Sequence, residues 1–103
     1  MYDEISVTDL KNADAGAFVI DVREGWEYQR GHVPGALNLP LGELVAAEAS
    51  LPRDRDVYVI CQSGSRSMQA AVWISQTGRT AHSIAGGTSA WQQSGLQVET
   101  GTA

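Results

Sequence analysis

The sequence is short of cysteine, of positive charge and of long apolar runs, and each shortage removes a class of protein. One cysteine, Cys61, stands among 103 residues. A single thiol cannot close an internal disulfide, so no disulfide framework carries the fold, and a reducing compartment with a cytoplasmic location is the expectation. Seven Lys and Arg face twelve Asp and Glu, for a formal net charge of −5. An acidic chain has no electrostatic reason to bind nucleic acid or an anionic membrane. No apolar run approaches the roughly 20 residues that cross a bilayer. The start, Met1-Tyr2-Asp3-Glu4, is acidic where a secretory signal is basic and then apolar. Histidine is scarce too. His32 and His82 lie far from Cys61 and from each other along the chain, without metal-ligand spacing, so neither a metal nor a cofactor is expected.

What is present reads as one folded domain over residues 1–103, with a core from about 5 to 98 and a loose tail over 99–103. The chain is 43% apolar and 18% charged, an ordinary balance for a globular protein. Two short β-branched runs dominate: Ala17-Phe18-Val19-Ile20 leading into Asp21-Val22, and Val57-Tyr58-Val59-Ile60 leading into Cys61. Apolar residues on successive positions suit strands buried on both faces, as in a parallel sheet covered by helices. Weaker strands are expected at Ile5–Val7, Ala36–Leu39 and Ala81–Ile84. Helical segments are expected between them: one turn at Thr8–Lys11 capped by Thr8, Glu24–Arg30 ended by Gly31, Leu41–Ala49, Ser65–Thr77 stopped by Gly78, and Thr88–Ser94 closed by Gly95. Leu41, Leu44 and Val45 give the third its helical spacing, and Met68, Ala71, Val72 and Ile74 give the fourth a broad apolar face. Strands alternating with helices over short connections predict an α/β domain with a mostly parallel sheet. Such sheets bind ligands at the carboxyl ends of their strands, which is where Cys61 falls.

The segment after that strand reads Cys61-Gln62-Ser63-Gly64-Ser65-Arg66-Ser67 and opens the best helix in the chain. A helix start offers unsatisfied N–H groups and a positive dipole end. Gly64 permits a tight turn that brings several N–H groups onto one point, and Arg66 adds a positive charge. A thiolate at Cys61 is therefore expected to be favoured. The alternative, an inert buried cysteine, does not call for a glycine-containing loop at a helix start. A thiolate in such a cradle can attack sulfur or phosphorus. Phosphatase loops of this kind have five residues between cysteine and arginine; here there are four, and the smaller ring suits a single terminal sulfur better than a phosphoryl group.

Four blocks in order resemble the rhodanese domain: Asp21-Val22-Arg23-Glu24 with Glu27-Tyr28; Gly31-His32-Val33-Pro34-Gly35-Ala36-Leu37-Asn38-Leu39-Pro40; the Cys61 loop; and Gly86-Gly87-Thr88-Ser89-Ala90-Trp91. The resemblance implies a five-stranded, mostly parallel sheet flanked by helices on both faces. It implies that Cys61 carries a persulfide, and that the six-residue loop from Cys61 to Arg66 belongs to the sulfurtransferase branch. The expected activity is transfer of sulfane sulfur from a donor such as thiosulfate or a persulfide to a thiol or cyanide acceptor, with a protein acceptor also admissible. Lacking a second cysteine, the chain needs that acceptor from outside. The loop residues Gln62, Ser63, Gly64, Ser65, Arg66 and Ser67 are expected to bind the persulfide. The alternatives are a rhodanese-like binding or sulfide-sensing module and, more distantly, a phosphatase or arsenate reductase.

Other residues have plainer readings. Asp21 could tune the site, but capping the following turn or bonding nearby backbone suits it better. Arg23 and Glu27, four apart, suit a helix-face pair. His32 precedes a turn and is expected to pack, and Trp91 to pack against the sheet. Gly86 and Gly87 suit a tight strand-to-helix turn, with Gly86 shaping the pocket. The serines of the loop lack the acid and histidine partners of a serine nucleophile and are expected to bond sulfur or cap the helix.

Overall fold

The computed structural model describes residues 1–101. Its strands are β1 (Tyr2–Ile5), β2 (Phe18–Asp21), β3 (Leu37–Asn38), β4 (Val57–Ile60) and β5 (Ala81–Ile84). They form one five-stranded sheet in the order β1-β5-β4-β2-β3. Every pairing is parallel. The helices are α1 (Val7–Lys11), α2 (Gly25–Arg30), α3 (Ser65–Gln76) and α4 (Gly87–Gln93).

The alternation of side chains along each strand divides the core in two. Ile20, Val22, Val57, Val59, Cys61 and Ala81 project to one face and pack with Ala70, Ala71 and Ile74 of α3 and with Leu44 and Leu51. Val19, Ile60 and Ile84 project to the other and pack with Val7 and Leu10 of α1 and Trp91 of α4. Trp91 thus covers the sheet as expected, and its indole N–H is satisfied by the Gln97 carbonyl at 2.8 Å. The small residues Ser67, Ala70 and Ala71 bring α3 close to the sheet; Met68 and Val72, expected on the apolar face, are only partly buried.

Several boundaries differ from the expectations, each for a local reason. β1 ends where a strand was expected to begin. Ser6 takes the N-cap of α1 in place of Thr8: its Oγ accepts the Asp9 N–H at 3.1 Å, and the Asp9 carboxylate accepts the Ser6 N–H at 3.3 Å. The edge strand β3 keeps only Leu37 and Asn38, although Leu39 and Leu41 still donate to the carbonyls of Asp21 and Val22. No α-helix forms over 41–49. Two 3-10 turns, Leu41–Glu43 and Glu48–Ser50, stand there instead. Val45 is exposed, so the apparent apolar stripe has no partner surface. The buried guanidinium of Arg79 takes the carbonyls of Glu48, Leu51 and Pro52, which fixes the segment as turns. The tail is not loose at its start, because Glu99 and His32 exchange backbone hydrogen bonds at 2.9 Å in each direction. Residues 102 and 103 of the expected tail lie outside the described residues.

Candidate active site

Parallel strands deliver their carboxyl ends to one edge, and three of those ends meet there. β2 ends in Asp21, β4 leads into Cys61, and β5 leads through Ala85 into Gly86. Cys61 continues the alternation of Val57 and Val59 onto the α3 face, which buries its side chain to 1% exposure. Its Sγ lies 3.1 Å from the Gly64 nitrogen and 3.4 Å from Ser67 Oγ. Burial pushes the Cys61 thiol up. The Ser67 hydroxyl and the backbone N–H groups of Ser67, Gly64 and Ser63 together outweigh it, and the thiol is held below its ordinary value.

The loop presents N–H groups inward because its carbonyls are engaged elsewhere. The Cys61 carbonyl accepts from the Thr88 N–H at 2.8 Å and the Thr88 hydroxyl at 3.1 Å, and the Gln62 carbonyl accepts from the Ser89 N–H at 3.1 Å. The first turn of α4 is thus bonded onto the loop. Such an approach needs Gly87, whose φ is +56°; a Cβ there would overlap the Cys61 carbonyl oxygen and lie 2.7 Å from the Gln62 carbonyl. Gly64 has φ +107°, and a Cβ on it would lie 3.3 Å from the Gly86 nitrogen. Gly86 therefore does border the loop, but Gly87 makes the closer approach.

The charged residues pair differently from the expectation. Arg23 does not pair with Glu27. It is buried and folds back on Asp21, with Nε 3.0 Å from Oδ1 and Nη2 2.8 Å from Oδ2, and it also donates to the Gly31 carbonyl and to Gln62 Oε1. Asp21 accepts the Arg23 N–H as well, so it bonds nearby backbone and side chain and reaches the loop only through Arg23. Glu27 pairs with Arg66 in a two-pronged contact at 2.7 and 2.9 Å. The Arg66 guanidinium holds the Glu27 carboxyl down at about 2, against the opposing effect of burial. The charge of Arg66 is thus shared between Glu27, which it touches, and Cys61, on which it acts through space, while the hydrogen bonds are the leading cause that favours the sulfur anion.

The remaining loop side chains sort by direction. Gln62 turns away from the sulfur and clasps two neighbours, accepting from Arg23 Nη1 at 2.9 Å and donating to Ser89 Oγ at 2.7 Å. Ser63 and Ser65 are exposed, and the N-cap of α3 is Gly64, so no serine caps that helix. Ser67 is fully buried and is the one serine of the loop whose side chain meets Cys61. Ser83 was not anticipated as part of the site; its buried hydroxyl lies 2.8 Å from that of Ser67. The signal was its place in the strand, two residues from Ala81 and so on the same face. His32 is buried, stacked on the Tyr28 ring at 3.7 Å and bonded to the Tyr28 carbonyl, as expected of a packing residue. A cavity of about 370 Å³ opens beside the loop, walled in part by Trp26, Glu27, Arg30, Gln62, Thr88 and Gln92. Among the described residues, no group of three or more His, Cys, Asp and Glu is placed to hold a metal, and no helix is long and apolar enough to cross a membrane.

The chain is similar in sequence and fold to known proteins. A sulfurtransferase from Allochromatium vinosum is 36% identical over 81 residues, covering 78% of this chain and 76% of that protein. A helix-turn-helix type transcriptional regulator from Mycobacterium tuberculosis is 38% identical over 95 residues, covering 89% of this chain but 42% of the regulator. The crystal structure of a rhodanese-related protein from Thermoplasma volcanium superposes with a TM-score of 0.90 at 33% identity, covering 97% of this chain and all of that one. Residues 6–94 match the rhodanese-like domain, and the chain belongs to that family.

Proposed function

We propose that the protein is a sulfurtransferase in which Cys61 accepts and passes on a sulfane sulfur atom. The observation that carries this reading is the setting of Cys61 Sγ, favoured as an anion by the Gly64 N–H and the Ser67 hydroxyl inside a six-residue loop. With thiosulfate as donor, the Cys61 thiolate attacks the outer sulfur. A new sulfur–sulfur bond forms, the bond to the sulfonate breaks, and sulfite leaves with the electron pair. The charge now rests on the terminal sulfur of a persulfide, among the N–H groups of residues 62–67, a preorganised anion site. Cyanide or a thiolate then attacks that terminal sulfur, and the Cys61 thiolate leaves and is restored. Asp21 and Gly86 support the loop without touching the reacting atoms, Asp21 through Arg23 and Gln62.

The test is thiocyanate formation from thiosulfate and cyanide. The parent is expected to turn over and Cys61→Ser to be silent; equal rates would remove Cys61 from the mechanism. Intact mass after exposure to a donor should rise by one sulfur atom. A second reading, a sensing or docking module, draws on the place of a related domain inside a transcriptional regulator. It predicts sulfur uptake without turnover by any small acceptor. A phosphatase reading is weaker, since the loop is one residue short and the Arg66 guanidinium is committed to Glu27.

A further inference from the structure

Ser83 is a hydroxyl in an apolar row. It lies on β5 opposite Val59, fully buried, on the face that carries Val57, Val59 and Ala81 against α3. A hydroxyl there is costly unless it is bonded. Among the described residues, its side chain has one partner, Ser67 Oγ at 2.8 Å. Ser67 Oγ has two further neighbours, the Gly64 carbonyl at 3.1 Å and Cys61 Sγ at 3.4 Å.

Counting protons fixes the direction of these bonds. Each hydroxyl has one proton to give and two lone pairs to receive. Were Ser67 to donate to Ser83, the Ser83 proton would be buried without an acceptor, which is the expensive arrangement. Ser83 therefore donates to Ser67. The proton of Ser67 is then left with two destinations, the Gly64 carbonyl and the Cys61 sulfur. While Cys61 is a thiol, its S–H donates to Ser67 Oγ and Ser67 donates to Gly64. Once Cys61 is a thiolate, the Ser67 proton turns to sulfur, and Ser67 still accepts from Ser83.

We infer that Ser83 is a positioning residue for Cys61: its donation anchors Ser67 Oγ and leaves the single Ser67 proton free to follow the charge on sulfur. The inference rests on the reading of Cys61 as a sulfur-accepting thiolate, and it adds a preference between the states of that thiol. In the empty enzyme the charge is on Sγ, within reach of Ser67. In the persulfide the charge has moved one bond outward, and the Ser67 proton returns to Gly64. The two hydroxyls thus favour the emptied enzyme and so favour discharge of the sulfur.

The experiment is the pH profile of iodoacetamide alkylation, a readout that needs no sulfur transfer. Losing the donor that anchors Ser67 Oγ weakens the Ser67 bond to the charged sulfur, and the midpoint of Ser83→Ala should move up by about half to one pH unit. Ser67→Ala should rise at least as far, and adding Ser83→Ala to it should move it no further. Ser83→Thr and Ser83→Val, matched in volume and differing in the hydroxyl, repeat the comparison if alanine loosens the sheet; threonine should keep the parent midpoint and valine should not. Arg66, tied to Glu27, and Arg23, tied to Asp21, keep their partners in every variant, so the midpoint reads the hydroxyls. A Ser83→Ala midpoint equal to the parent overturns the inference, as does an equal further rise on the Ser67→Ala background. If the parent takes up no sulfur from any donor while these shifts stand, the proposed function falls and the role of Ser83 in setting the thiol survives.

Discussion

Replacing Glu27 with glutamine should cost stability in a way that depends on acidity. Glu27 is held at about 2 against an ordinary 4.5, chiefly by its hydrogen bonds to Arg66. At about 1.4 kcal/mol per pH unit, that drop corresponds to about 3 kcal/mol. The Arg66 side chain is 35% exposed, so solvent screens the pair and about 1–2 kcal/mol is the reasonable expectation at neutral pH. The sign follows from the direction of the change. A carboxyl depressed in the folded state contributes fully above its unfolded value of 4.5, and the contribution is lost as pH falls from there towards 2. Urea unfolding of parent and Glu27→Gln should therefore differ most at pH 7, by less than half as much near pH 3, and very little near pH 2. A difference that stayed constant across that window, or no difference at pH 7, would refute the argument that Arg66 and Glu27 form an energetically real pair.

Two further outcomes follow from the geometry. Gly87→Ala places a methyl group into the Cys61 carbonyl at a left-handed backbone position, so it should destabilise by roughly 2 kcal/mol or more and abolish sulfur uptake, read by urea unfolding and intact mass. His82 lies between Asp3 and Asp56; burial lowers its affinity for a proton, but the two carboxylates raise it further, and the net direction is up. A raised histidine stabilises fully below its unfolded value of 6.5 and loses that contribution as pH climbs through the folded value. His82→Gln should therefore lower the melting temperature at pH 5.5 and change it little at pH 9; equal effects at both would show that the carboxylates are not the cause.

Much of the fold was legible because its signals are local. Val57-Tyr58-Val59-Ile60 is buried on both faces and reads so from its residues alone. The place of Cys61 followed, since a parallel sheet puts the end of that strand beside a helix start. What was not legible is what depends on distant partners. Arg66 reaches Glu27 from 39 positions away, while the nearer pairing of Arg23 with Glu27 had the spacing of a helix and none of the geometry. Leu41, Leu44 and Val45 had helical spacing, but Arg79 claimed the carbonyls that follow and left Val45 in solvent. Ser83 looked like an ordinary polar residue in a weak strand until α3 brought Ser67 against it.

The bonding of α4 onto the loop has a consequence for motion. The Thr88 and Ser89 amides are spent on the Cys61 and Gln62 carbonyls, so those carbonyls cannot turn inward while the first turn of α4 is formed. Opening that first turn of a seven-residue helix would therefore release both carbonyls at once. The cradle that faces Cys61 is thus held in part from outside it, by a helix end that makes no hydrogen bond to the sulfur among the described residues.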